Sequence, residues 1–473
     1  MRKTLKGFLL VSLLAALALS SCVQKPQAEE TTEWEGKDKI EVSGDEMDKN
    51  TSALADRYDN YAKLSALAFK ETTTNAESDF KVTLENGEAI VTEYIGKSGI
   101  VVIPETVGES RVTKIAASAF SGKNVSALYI PDSVVSIEKG ALGGMDALAT
   151  LRLPFVGDGG ENTHFGYIFG ADSYENHALK VPSTLDMVIL GDGVTEISEN
   201  AFAGCKMISA MVLPVGLEKI GAFAFYECKD LVYISRNTAV KEIGNYAFGY
   251  CSVLFKAELL MAESIGLGAF YECSALRSLS LPFVGGSAQD NRFLGYIFGA
   301  EIADYNGEFV PASLKSVSIS ARACKDIPDR AFAGCSSISE FIFDVGIESI
   351  GTRAFYACRS LTGITLPDGV KTICDDAFFG CDNLVSVELG DCVESIGMQA
   401  FYGCRSLKTV ELPEKVTEIK PSTFALCSAL ERISLGGVKK IGKDAFWGCS
   451  KLSAADVSGI EVADGNECLV GEK

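Results

Sequence analysis

Two histidines, His164 and His177, serve a chain of 473 residues, which leaves almost no material for a histidine metal centre or a histidine-based catalytic triad. Positive charge is also short. Against 63 Asp and Glu stand 43 Lys and Arg, a net charge of -20. Such a surface cannot displace the counterions of a nucleic acid, and it is poorly suited to anionic lipid by charge alone. The apolar run Phe8 to Leu19 is too short for a comfortable membrane span. Neither a phosphate loop nor a pair of carboxylates set for acid–base work stands out, so no enzyme activity, cofactor or metal is expected.

What the chain has in abundance is repetition. A small residue followed by Phe recurs at Ala119-Phe120, Ala201-Phe202, Ala224-Phe225, Ala247-Phe248, Ala269-Phe270, Ala331-Phe332, Ala354-Phe355, Ala377-Phe378, Ala400-Phe401, Thr423-Phe424 and Ala445-Phe446, with Ala141-Leu142 as a variant. The step is 22 or 23 residues, except for two steps of 60 and 62. A fixed period of this size marks a stacked solenoid, in which each coil buries its neighbour's apolar side. Each unit reads L-x-x-I-x-L, a turn, V-x-x-I-G, then A-F-x-x-C. The first piece predicts a short strand with inward residues such as Leu407, Val410 and Leu412. The second, as in Val416 and Ile419, predicts another extended piece, and the third a single helical turn dropping Phe and Cys into the core. About 14 coils at ~4.8 Å each would make a body near 65 Å long.

Fifteen cysteines suggest disulfides only if they are scattered. Ten instead sit three residues after the landmark Phe: Cys205, Cys228, Cys251, Cys273, Cys335, Cys358, Cys381, Cys404, Cys427 and Cys449. Parallel side chains in register cannot readily reach the ~90° torsion of an S–S bond, so this column reads as buried thiols acting as small apolar plugs. Cys324, Cys374, Cys392 and Cys468 lie off it.

Residues 1–21 carry a basic start, an apolar core and small residues before a cut, as secretory signals do. The ending Leu19-Ser20-Ser21-Cys22 resembles the bacterial lipobox, which implies lipid attachment at Cys22 and, with Val23 next, outer-membrane sorting. Residues 22–50 are expected to form a disordered acidic tether. Residues 51–72 place Leu54, Tyr58, Tyr61, Leu64, Leu67 and Ala68 at helical spacing, with Thr51 or Ser52 as cap; this amphipathic helix is expected to cover the open end of the stack. Residues 78–111, alternating around Asn86-Gly87, predict a β-hairpin N-terminal cap whose last strand, Ile100 to Ile103, starts the sheet. The solenoid is assigned to 112–458 and a C-terminal tail to 459–473. Two enlarged repeats, near 153–190 and 281–319, place Ile168-Phe169 and Ile297-Phe298 where Ala-Phe would stand, 129 residues apart. Each is expected to throw out a loop from the same edge, about 25 Å from the other.

The 23-residue pattern resembles the BspA-like leucine-rich repeat over about residues 80–457. The resemblance implies a β-rich solenoid of parallel strands and short helical turns, displayed at a bacterial surface. It further implies adhesion to matrix or plasma proteins or to other cells. Departures are Leu142 for Phe, Thr423 for Ala, and Lys123 and Met145 at ladder-Cys positions.

Two surfaces are candidate binding sites. The residue after the landmark Phe is aromatic at Tyr226, Tyr271, Tyr356, Phe379, Tyr402 and Trp447, a stripe able to anchor a partner; alternatively each ring packs on its neighbour's turn. The outward strand positions Thr365, Glu388, Glu411, Ser434 and Asp456 form a row suited to a basic partner or simply to solubility. Asp158, Glu161 and Asn162 offer oxygens of the kind Ca²⁺ takes, but a solvated polar loop explains them as well. A Cys beside either His would be a nucleophile candidate, were the ladder positions not locked in the core. The expected role is a lipid-anchored, outer-membrane or surface protein binding a protein partner. The alternatives are a glycan-binding or polysaccharide-handling surface protein and a structural surface component.

Overall fold

A computed structural model describes residues 49–67, 73–320 and 322–470. The signal segment, Cys22 and nearly all of the tether lie outside the described residues, as do positions 68–72 of the expected helix.

The chain winds into a solenoid with two parallel ladders. Strands of the L-x-x-I-x-L type pair rung to rung in sheets of six, four and four strands among the described residues, from Ile100–Val102 to Arg432–Ser434. Register follows the repeat: Ile364 faces Val387, and Val410 faces Ile433. The V-x-x-I pieces make the second ladder, two residues per coil, as in Ser349–Ile350 against Thr372–Ile373. Such short strands persist because every coil supplies the next with backbone partners and a dry face.

The turn segments are a third column. Phe332 N donates to Ala354 O (2.8 Å), Phe355 N to Ala377 O (2.8 Å) and Phe378 N to Ala400 O (2.7 Å). Their rings stack at 4.9 Å for Phe355–Phe378 and 5.1 Å for Phe378–Phe401, both 2° from parallel. Beside them eight of the ten ladder thiols donate to a Phe carbonyl one coil back, as in Cys381 to Phe355 O (3.1 Å) and Cys404 to Phe378 O (3.2 Å); Cys205 lies against His177 instead. The cysteine therefore fills space and also satisfies a carbonyl. Burial raises the thiols of Cys228, Cys251, Cys358 and Cys381, the last to about 12. Since the thiolate is the reactive form, brief iodoacetamide treatment of native protein should label half-buried Cys374 and Cys392 and spare the ten ladder positions until denaturant is added. Peptide mapping that finds ladder cysteines modified as fast as Cys392, or bridged, would refute this.

At the N-terminal end, strands β1 (Phe80–Glu85) and β2 (Glu88–Tyr94) form the hairpin around Asn86-Gly87, and β2 then runs parallel to Ser110–Ile115. Tyr94 stacks on Phe120 at 5.7 Å, closing the aromatic column. The end is thus closed by the hairpin, without the helix. Helix α1 (Lys49–Leu67) lies instead across the outer face of the first sheet, and Thr51 and Ser52 fall inside its first turn. That face is apolar: Ala127, Tyr129, Met187, Ile189, Ala210, Val212 and Tyr233 form a second core with Leu64, on which Leu54, Tyr58 and Tyr61 pack. Tyr61 OH bonds Asp186 at 2.7 Å, Arg57 bonds Ser209 at 3.2 Å, and Ser65 meets the Tyr233 hydroxyl at 2.9 Å. The expectation of an end cap fails because the uncovered apolar surface is on the sheet.

The other terminus also departs from expectation. Glu461–Val462 adds a rung beside Lys440–Ile441, Leu469 is buried, and Asn466 Oδ1 accepts from Phe446 N. Up to residue 470 the segment finishes the last coil and is no free tail.

Candidate functional site

The edge formed by the A-F-x-x-C turns carries the features that point outward. The residue before each landmark small residue adopts a left-handed backbone: Asn200, Phe223, Tyr246, Arg330, Arg353, Asp376, Gln399, Ser422 and Asp444 all have φ between 53° and 57°. For a non-glycine residue this costs roughly 1–2 kcal/mol, which the ladder bonds on both sides offset. The conformation turns these side chains out along the edge, next to the residues that follow Phe.

Of the six expected stripe residues, Tyr226 and Tyr271 fall in one cluster and Tyr356, Phe379 and Tyr402 in another, with Trp447 apart and 54% exposed. The first cluster includes three rings the repeat pattern did not single out. Phe223 stacks on Tyr246 (5.5 Å, 10°), and Tyr250 stands edge-on between Tyr226 and Tyr271, 5.4 Å from each. Gly249 makes the room, because a Cβ there would lie 2.9 Å from the Tyr226 ring. The detectable signal was aromatic residues at other phases of the same turn. The second cluster is a face-to-face column, Tyr356–Phe379 at 5.2 Å and Phe379–Tyr402 at 4.7 Å, with the Arg353 guanidinium 5.9 Å from the Tyr356 centroid. Inner ring faces are therefore occupied, with Tyr356 exposed and Phe379 and Tyr402 half-buried.

Between the clusters sits the second enlarged repeat. Its chain leaves the core at Leu294–Phe298, a 3₁₀ segment, and returns through a short helical stretch, Ala303–Phe309. In both enlarged repeats the rung is shared by two residues: Ile297 O accepts from Phe270 N while Leu294 N donates to Ala331 O, and Ile168 O and Phe165 N do the same in the first. Ile302, Tyr305 and Phe309 stay exposed. A Cβ on Gly299 would sit 2.8 Å from the Tyr271 ring and 3.5 Å from Phe309, so the excursion continues the first cluster. On its far side is an open cleft of about 500 Å³, lined by Asp304, Glu308, Arg330, Arg353 and Tyr356. Arg330 pairs with Asp304 (2.5 Å) and Arg353 with Asp376 (3.0 Å). From Phe223 to Tyr402 the apolar edge spans seven coil steps, roughly 35 Å.

The other candidates resolve differently. Asp158 is consumed locally, accepting from Gly160 N (2.7 Å), Asn162 N (3.1 Å) and Asn162 Nδ2 (2.6 Å), a folded Asx turn. Among the described residues no group of three or more His, Cys, Asp or Glu is arranged to hold a metal. Cys205 lies 3.5 Å from His177 Nδ1, but that nitrogen is also 3.1 Å from Ala203 O, both residues are fully buried, and burial drives the thiol well up. This is no activated nucleophile. In the outward strand row Thr365 donates to Glu388 (2.8 Å), and Asp456 lies beyond the strands with its carboxylate on Ser458 N.

The family model for the BspA type leucine rich repeat region matches in six copies, over residues 103–159, 173–295, 305–376 and 325–453. Among solved structures, a leucine-rich repeat protein from Bacteroides ovatus ATCC 8483 is 22% identical over 84% of this chain and 99% of its own, with a TM-score of 0.32. A leucine rich cell surface protein from Faecalibacterium prausnitzii A2-165 is 21% identical over 84% and 99%, at 0.31. The pneumococcal vaccine antigen PcpA is 20% identical over 83% and 93%, at 0.27. No curated protein matches the chain. With family-model matches across well over half its length and a repeat that stacks coil upon coil, the chain belongs to the BspA-type leucine-rich-repeat family.

Proposed function

We propose that this is a lipid-anchored surface protein, adhesin-like, that binds a protein partner along its turn edge and performs no catalysis. Members of its family are bacterial surface proteins, and one structural relative is described as a cell surface protein. Among the described residues no helix is long and apolar enough to cross a membrane; the anchor in this reading is a lipid on Cys22, with the outer membrane as its site. The observation that carries the binding role is the aromatic edge, in which half-buried rings, an open cleft and paired arginines follow one another along a rigid support. Rings and arginines of this kind are what supply binding energy at protein interfaces. The partner class includes matrix and plasma proteins and the surfaces of other cells.

A glycan-binding role would be favoured by aromatic faces lying flat and open. Here the rings of the second cluster cover one another, and those of the first meet largely edge to face, which favours a protein. The test is a solid-phase screen of the chain without its first 22 residues against matrix proteins, plasma proteins and glycans, repeated with Tyr356→Ser, Tyr402→Ser and Trp447→Ser combined. A protein ligand is expected, with affinity reduced about 100-fold in the variant, since a hot-spot ring contributes 2 kcal/mol or more. Binding unchanged in a variant whose melting curve is normal would reject the edge; glycan-only binding would favour the second reading. Absence of any ligand would favour a structural surface component.

A further inference from the structure

The two histidines of this chain, 13 residues apart in the first enlarged repeat, meet: His164 Nδ1 lies 3.2 Å from His177 Nε2. Their planes differ by only 23°, and with the ring centroids 5.3 Å apart the 3.2 Å nitrogen–nitrogen contact runs edge to edge between rings. His177 is fully buried and its Nδ1 is 3.1 Å from Ala203 O, in the turn of the following coil. A carbonyl only accepts, so His177 Nδ1 carries the hydrogen and Nε2 presents its lone pair. His164 must then donate from Nδ1. The result is a directed relay, His164 N–H to His177, His177 N–H to Ala203 O, which ties the excursion to the next coil.

The second enlarged repeat is an internal control. Positions 129 residues on are Phe293 and Asn306. Asn306 makes the corresponding tie with an amide, donating to Ala331 O (3.0 Å) and Arg330 O (3.1 Å) and accepting from Gly295 N. One excursion is thus pinned by groups that titrate and the other by a group that does not.

We propose that the first excursion is an acid-released flap: once both His164 and His177 are protonated the relay breaks and residues 170–181 come away from the Ala203 turn, while Phe165 to Phe169 keep their ladder bonds and the second excursion stays seated. The proton count follows from the relay. A first proton goes to the outward Nε2 of His164 and leaves its donor bond intact. The second has only His177 Nε2 to occupy, which puts N–H groups on both facing nitrogens at a separation that allows one. The charges around the pair do not rescue it. Lys139, from the preceding coil and ion-paired with Asp172, opposes the charge on His164 while Asp158 and Asp172 favour it. Tyr167 meets the His164 ring edge-on, and the buried Cys205 thiol faces His177, so no carboxylate faces the inner ring. Burial and the neighbouring His164 hold His177 down at about 4.

Its own turn places this flap at the binding edge, because Gly204 N donates to Tyr226 O (2.7 Å), one rung from the first aromatic cluster. Any effect on partner binding rests on the proposed function; the flap itself does not and is read with no partner present. Hydrogen exchange of the full chain, corrected for intrinsic rates, should show protection over 170–181 falling about tenfold per pH unit between pH 6 and 4, with 165–169 unchanged. The corresponding residues 299–310 should stay level. In the double variant His164→Phe, His177→Asn, which copies the second excursion, the fall should vanish. Protection independent of pH, equal loss in both excursions, or a double variant that keeps the loss would overturn the proposal. Should the variant not fold, the two imidazole resonances of the native chain decide: one must titrate well below pH 6, and two ordinary midpoints near 6.5 overturn it.

Discussion

Phe378→Ala is expected to destabilise the solenoid by about 4 kcal/mol, while Phe379→Ala, one residue later, should cost roughly 1–2 kcal/mol. The difference is where the turn sends each ring. Phe378 is fully buried between Phe355 and Phe401, so truncation leaves a void with aromatic walls above and below and a thiol beside it. Neither neighbour can move in, because each is held by its own coil's bonds to the next. Phe379 is half-buried, and solvent takes its place when the ring is lost. Because a stack of nearest-neighbour units need not melt as one, the measurement is denaturant unfolding combined with hydrogen exchange over coils 350–425. Nearly equal losses for the two variants would mean that the column of inner rings does not hold the coils together.

Most of the fold is legible because a solenoid converts sequence phase directly into spatial columns. Ala-Phe-x-x-Cys recurs at one phase, so its Phe rings must stack and its thiols must line up. What escaped lies outside that logic. The amphipathic spacing of Leu54, Tyr58, Tyr61 and Leu64 says that one side of α1 is greasy, not what it touches. The pointer was in the sheet, where Met187–Leu190 is buried at every position, a strand apolar on both faces that demands a cover on its outer side. Phe223 and Tyr246 were missed for another reason: neither is a residue type that favours a left-handed backbone, and only the assembled ladder imposes it. The His164–His177 contact depends on how the excursion folds back, which no periodicity encodes.

Gly351→Ala should cost about 3 kcal/mol, whereas Gly193→Ala should be nearly silent. Both glycines sit in turns of the repeat, and neither has a positive φ, so the contrast isolates close approach from backbone conformation. A Cβ on Gly351 would lie 2.6 Å from Pro328 C and from Asp329 N in the preceding coil, whereas one on Gly193 meets nothing within 4 Å. Relief at Gly351 requires the coils to part where Gly351 N donates to Ile327 O (2.8 Å) and Thr352 N to Asp329 Oδ1 (2.7 Å). The same column carries Gly221, Gly244, Gly266, Gly397 and Gly442 but also Ala116, Glu138, Ser198, Pro328, Cys374, Lys420 and Ala463, and from Pro328 onward rungs with side chains alternate with glycine. A side chain at 351 would put three such rungs in a row, from Pro328 to Cys374, and spread the strain to both neighbours. The melting temperatures of the two variants measure it. A Gly351→Ala protein as stable as Gly193→Ala would show that the coils are spaced loosely enough to take a methyl group, and a rigid, evenly spaced edge would then no longer be a basis for multipoint docking.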